Sequence, residues 1–218
     1  MKFLIYQYYY PDPTQDTAMK ISKDNTYYEM SRKSIKKYAE TLGVDYRYLT
    51  DEHPVSPFYG IFLPFTEGWC HDYDAICWMD SDILVTNKAD DVFNFYEKDS
   101  ISAYHMDTGT NWIENGHFNS GVVIWPKSTY GFVAEYVKNL KAMHIRKGAF
   151  EKSLGDFDQA IVNKIIKDWG KYKKLPESMN YHLHRKELSK RFDNGLIHYW
   201  RHFKSSMDFD FKNKRILK

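Results

Sequence analysis

The apolar run Ala75–Met79 stops abruptly at Asp80-Ser81-Asp82 and resumes as Ile83-Leu84-Val85. A short uncharged run bounded by carboxylates reads as a buried strand that ends in charge. The rest of the chain supplies partners for such a strand. Lys2–Tyr9 reads as an opening buried strand, followed by the breaker Pro11-Asp12-Pro13, and Asp45–Thr50 as a second. Between them, from Thr26 to Leu42, apolar residues recur near helical spacing and Gly43 supplies a stop. Phe58–Trp69 predicts a helix carrying Pro64, Asp90–Glu97 another, and Ser100–His105 and Gly121–Trp125 two strands. Ser128 is expected to cap a helix striped by Phe132, Val133, Tyr136, Val137, Leu140 and Met143. A further helix is expected over Asp156–Trp169, and the tail from Lys171 reads as basic and irregular around the island Leu196–Trp200. Strands alternating with helices imply an α/β fold with a mixed, mostly parallel central sheet flanked by helices. No internal repeat or low-complexity linker divides the chain, so a single domain over residues 1–218 is expected.

Composition narrows the function classes. The net charge is +2 with both signs interspersed, which leaves no polyanion footprint and argues against a nucleic-acid partner. Aromatic residues make up 17% of the chain, and Tyr and Trp offer flat faces with polar edges that suit sugars and nucleobases. Use in the core is the competing account. Cys70 and Cys77 form neither a disulfide framework nor a zinc spacing, so a reducing compartment, the cytoplasm, is expected. Met1-Lys2-Phe3-Leu4-Ile5 does not read as a signal peptide, and no apolar run approaches the ~20 residues of a transmembrane segment.

If the strand continues through the motif, Asp80 and Asp82 point the same way with Ser81 opposed. Ligands of open α/β sheets sit at the carboxyl ends of strands, where this pair falls. Two close carboxylates are costly unless a cation offsets them, and hard oxygen ligands suit magnesium or manganese. A solvated strand-end turn is the competing reading.

The flanks extend the pattern. Ile76–Val85 resembles the apolar strand, Asp-x-Asp, aliphatic signature of GT-A-fold glycosyltransferases. Three later segments resemble, in the same order, the group containing glycogenin and bacterial lipopolysaccharide galactosyltransferases. These are Phe118-Asn119-Ser120-Gly121-Val122-Val123, Asp158-Gln159-Ala160-Ile161-Val162-Asn163 and His198-Tyr199-Trp200-Arg201-His202-Phe203-Lys204. The composition also looks like that of capsid-glycan glycosyltransferases of large algal viruses, in which case the compartment is the host cytoplasm.

This resemblance implies a Rossmann-like GT-A fold and a UDP-sugar donor, UDP-glucose or similar. It implies a glycan or glycoprotein acceptor and transfer with retention. Asp80, Asp82 and His198 would ligate the metal, and manganese tolerates such mixed ligands better than magnesium. Asp80 would also reach the ribose, and Lys204 would neutralise the diphosphate. Asn119 and Gly121 would line the donor sugar, Asp158 and Gln159 would face its reacting carbon, and Tyr6, Gln7 and Tyr8 are candidates for the nucleobase. The chain departs from the group at Gly60, where an Arg is usual, and at Ala160 and Arg201. Two alternatives stand beside this reading. A haloacid-dehalogenase-like phosphohydrolase also begins with Asp-x-Asp, although Gly155-Asp156 is followed by Ala160 where its second Asp belongs. A non-catalytic sugar-binding module would use the aromatics alone.

Overall fold

The computed structural model describes residues 1–10, 26–51, 57–106, 117–147, 158–183, 185–199, 204 and 206–218. In chain order the elements are β1 (Phe3–Tyr8), α1 (Thr26–Leu42), β2 (Asp45–Leu49), α2 (Leu63–Thr66), β3 (Ala75–Met79), β4 (Ile83–Val85) and β5 (Ile101–Met106). There follow β6 (His117–Pro126), α3 (Tyr130–Lys147), α4 (Asp158–Trp169), β7 (Tyr172–Leu175), β8 (Tyr181–His182), β9 (Leu196–His198) and α5 (Met207–Phe211).

The pleat of β1 sends Leu4, Tyr6 and Tyr8 into one core and Ile5 into the other, and β3 divides Ile76 and Trp78 from Ala75, Cys77 and Met79 in the same way. Both faces are therefore covered, which is why these strands read as continuous apolar runs rather than alternating ones. Among the described residues they join a six-stranded sheet of order β2-β1-β3-β6-β5-β7. Every strand but β6 points the same way, β6 running antiparallel to both β3 and β5. The expected mixed, mostly parallel sheet flanked by helices is what the chain forms.

A smaller sheet, β4-β9-β8, is built from the far side of the aspartate motif and the tail. Its apolar cluster unites Leu84, Ile197 and Tyr199 with Tyr27 and Tyr28 of α1 and Met207 of α5. The chain thus leaves the large sheet at Met79 and enters the small one at Ile83, and the turn between them is Asp80-Ser81-Asp82.

Several expectations are corrected. Phe58–Trp69 is not one helix but two 3-10 turns, Pro57–Phe62 and Trp69–Asp72, around the four-residue α2. Pro64 is tolerated only because it sits in the first turn of α2, and Gly68 at φ 78° reverses the chain. Asp90–Glu97 holds only a 3-10 turn, Val92–Phe95, where the Asp91 carboxylate accepts from Phe93 N–H at 2.8 Å. Ser128 is not a helix cap: its hydroxyl donates to the Lys98 carbonyl at 2.7 Å. The tail is not irregular, since it supplies β7 at the edge of the large sheet and two strands of the small one. In β7, Lys173 turns outward to Glu97 at 2.9 Å, the sort of charge that protects a sheet edge.

Candidate metal and donor site

Strand register decides which residues meet. Met79 pairs with Val122, so the next residue, Asp80, lies beside Gly121 and its N–H donates to the Gly121 carbonyl at 2.8 Å. In the small sheet Ile83 pairs with His198, which brings the imidazole to Asp82 from far along the chain. The Tyr199 N–H donates to the Asp82 carbonyl at 2.9 Å and locks this approach. The aspartates do not converge by strand alternation, because β3 has ended; they converge because the chain turns around Ser81.

His198 Nε2 lies 3.1 Å from Asp82 Oδ1 and 3.4 Å from Asp80 Oδ2, and the three ligand atoms fall within 4.8 Å of one another. An octahedral ion with bonds of about 2.1 Å holds its ligand atoms roughly 3–4.2 Å apart, and both separations from His198 fall in that range. The donor chemistry, two carboxylates and an imidazole, suits manganese.

Each of these groups is held from behind. The Trp78 indole N–H donates to Asp80 Oδ1 at 3.0 Å, leaving Oδ2 to face His198. Asn180 Oδ1 meets His198 Nδ1 at 3.0 Å. Lys204 Nζ lies 2.8 Å from Asp82 Oδ2. Gly121 makes room for all of this, since a Cβ there would stand 2.5 Å from the His198 ring.

The charges act on one another accordingly. Burial would raise the Asp82 carboxyl, but the Lys204 ammonium and then His198 outweigh it and hold it well below its ordinary value. Asp80 is raised, by burial first and Asp82 in part, against His198. Burial alone would lower His198 and Lys204, yet Asp82 keeps both above their ordinary values.

The sugar-facing candidates come from the β6–α4 contact. The Asn163 amide clasps the backbone of Phe118 at both ends, 2.7 Å to its N–H and 2.7 Å to its carbonyl. That clasp docks the start of α4 on β6. Asn119 Nδ2 then donates to Gln159 Oε1 at 2.9 Å, and Ser120 hydrogen-bonds Asp158. Burial, and next the charge of Asp80, push Asp158 up to about 7.

Of the nucleobase candidates, Tyr6 donates to the Gly60 carbonyl at 2.9 Å and Tyr8 to the Asp51 carbonyl at 2.8 Å. Gln7 is fully buried, accepts from Tyr46 and donates to the Asp80 carbonyl at 3.1 Å. The ring of Tyr8 also explains Gly60, since it occupies the place that a Cβ would take. Arg201 and Asp156 lie outside the described residues. Sequence reasoning missed Trp78, Ser120 and Asn180. Trp78 and Ser120 each lie inside a motif that was read but were given no role in it, and a lone Asn between Met179 and Tyr181 was the signal for Asn180.

No protein-family model matches the chain, and no curated protein matches it significantly in sequence. Its structure is similar to a glycosyltransferase involved in glycosylation of the major capsid of PBCV-1, with a TM-score of 0.66 at 14% identity, covering 98% of this chain and 100% of that one. The fold is the GT-A fold. GlyE of Streptococcus pneumoniae TIGR4 shares the GT-A chain's fold at a TM-score of 0.57 and 14% identity, and the bifunctional glycosyltransferase WbbM at 0.59 and 15%. The GT-A chain is covered over 98% and 97% of its length in these two, and spans 61% and 50% of theirs.

Proposed function

We propose that the chain is a metal-dependent glycosyltransferase that takes its sugar from a UDP-sugar and passes it to a glycan or glycoprotein acceptor. The observation that carries this reading is the convergence of Asp80, Asp82 and His198 within 4.8 Å, with Lys204 beside them, in a GT-A fold. A non-catalytic sugar-binding module would need no such set, and a phosphohydrolase of the haloacid-dehalogenase kind would need a second Asp where Ala160 stands.

A divalent ion, manganese or magnesium, would offset diphosphate charge as the nucleotide departs. Asp80, Asp82 and His198 would hold it, with Asp80 also turned to the ribose. Lys204 would move from Asp82 to the phosphates as they arrive, since the arriving phosphates compete for its ammonium. Asn119 and Gly121 would border the sugar, Gly121 through backbone approach. Asp158 would orient the sugar and steady positive charge developing at its anomeric carbon, with Gln159 offering an uncharged dipole. Retention of configuration follows from the resemblance of the Asp158-Gln159 pair to the retaining group. Tyr6, Gln7 and Tyr8, all buried, would then support the nucleoside end from behind rather than as free hydrogen-bonding groups. UDP-glucose is the first donor to test, and a cytoplasmic setting follows from the cysteine usage.

Titration calorimetry with UDP tests the reading: binding is expected with manganese and lost with chelator, and equal affinity in both would sink it. Proton NMR of the first product from a UDP-sugar screen then decides stereochemistry, an inverted anomeric centre overturning retention.

A further inference from the structure

We infer that Asn180 is a positioning residue for His198, and that the Gly121 N–H sets the direction of a buried amide relay joining the metal end of the site to Gln159; its bearing on the metal rests on the function proposed above. The argument begins with a group that has no choice. The Gly121 backbone N–H, 2.8 Å from the Asn119 side chain, can only donate, so the atom facing it is the amide oxygen Oδ1. Turning that amide over would set two donors against each other in a buried place, where the penalty is not relieved by water.

The direction then propagates both ways. Asn119 Oδ1 also accepts from Asn180 Nδ2 at 2.7 Å, which consumes the donor end of Asn180. The oxygen end of Asn180 is left facing His198 Nδ1 at 3.0 Å. An amide oxygen can only accept, so Nδ1 must carry the hydrogen. His198 can therefore give up its Nε2 proton and present a lone pair there while keeping Nδ1–H. Nε2 is the nitrogen that faces Asp82 and Asp80, 3.1 and 3.4 Å away. In the other direction Asn119 Nδ2 donates to Gln159 Oε1 at 2.9 Å, so the NH2 of Gln159 is the end left for a ligand. Asn180 is 0% exposed, His198 3% and Asn119 7%, so the relay cannot be replaced casually by solvent.

The consequence is a division of labour. Asn180 touches no donor atom, yet it selects the tautomer that allows His198 to act as a ligand, and such outer partners typically change metal affinity by about ten- to a hundredfold. Asn119 governs which end of Gln159 the sugar meets.

Two measurements on the full chain test this. In alkaline buffer without metal, nitrogen-15 spectra of the histidine rings should show His198 protonated at Nδ1 in the wild type and not uniquely so in Asn180→Ala; protonation at Nε2 in the wild type would overturn the relay. Manganese uptake, followed by the electron paramagnetic resonance of the free ion, should weaken about ten- to a hundredfold in Asn180→Ala. Asn180→Asp, which retains an oxygen for Nδ1–H, should recover most of that loss even if it melts earlier. An Asn180→Ala chain that is folded and binds as wild type overturns the inference, as does an Asn180→Asp chain that binds no better than Asn180→Ala. A wild type that takes up no manganese defeats the metal reading instead, and the ring spectra still decide the relay.

Discussion

An ion arriving at Asp82 meets a carboxylate that already has a cation, since Lys204 Nζ stands 2.8 Å from its Oδ2. The same ammonium is the group proposed to receive the diphosphate, so Lys204→Ala should act with opposite signs on two ligands. Bare manganese should bind more tightly, because nothing competes for Asp82. UDP with manganese should bind more weakly, by about 1.5–3 kcal/mol or roughly ten- to a hundredfold. Calorimetry on the two ligands separates these effects, and a change of the same sign in both would remove Lys204 from the site. Asp158 offers a proton-linked test. Its folded value near 7 lies above the ordinary 3.8, so the folded chain holds the proton more tightly than the unfolded one and loses stability as pH rises through that window. Asp158→Asn should therefore stabilise the metal-free chain, with a gain that grows between those two pH values and is level above. Thermal melts across the range check this; a gain that shrinks with rising pH would mean that the charged form is the favoured one.

At the level of elements, α5 braces β9 through side chains. Asp210 of α5 is fully buried, receives Arg191 through two contacts of 2.8 Å, and accepts the Tyr199 hydroxyl at 2.7 Å. Tyr199 follows His198 directly, so α5 braces the ligand strand. Asp210→Ala leaves the Arg191 charge without its partner and should cost about 3–5 kcal/mol in urea unfolding. Asp208→Ala, in the same helix but paired at the surface with Lys212, should cost less than about 1 kcal/mol. These elements also show what the sequence could and could not tell. β1, β3, β6 and α4 were readable because long apolar periods announce them, and the residues that converge in the site lie at or beside their ends. The stretch around α2 was misread because Pro64 and Gly68 punctuate an otherwise helical pattern. β8 and β9 span two and three residues, too short for any periodicity to appear, and only their pairing makes them strands. Hence His198 was legible through a resemblance, and Asn180 only as a lone polar residue between Met179 and Tyr181.

Across the whole molecule, the chain passes from the large sheet into the small one at Asp80-Ser81-Asp82, beside which Ile83, Val85 and Leu196 pack against Ile5, Cys77 and Met79. Asp80 and Asn119 arrive with the large sheet, His198 with the small one, and Asp82 opens into β4. A ligand that gathers these groups therefore works as a rivet through two plates. Its grip should be felt where the plates meet rather than uniformly. Amide hydrogen exchange in β4 and β9 should slow markedly when UDP and manganese are added, while β2, at the far edge of the large sheet, should scarcely respond; protection spread evenly over both sheets would argue against it. The same geometry gives the candidate site an unusual sensitivity. On the proposed function, anything that slides one plate over the other would change the spacing of Asp80, Asp82 and His198 without touching any of them, and the grip on a nucleotide would become a gauge of how an acceptor is seated.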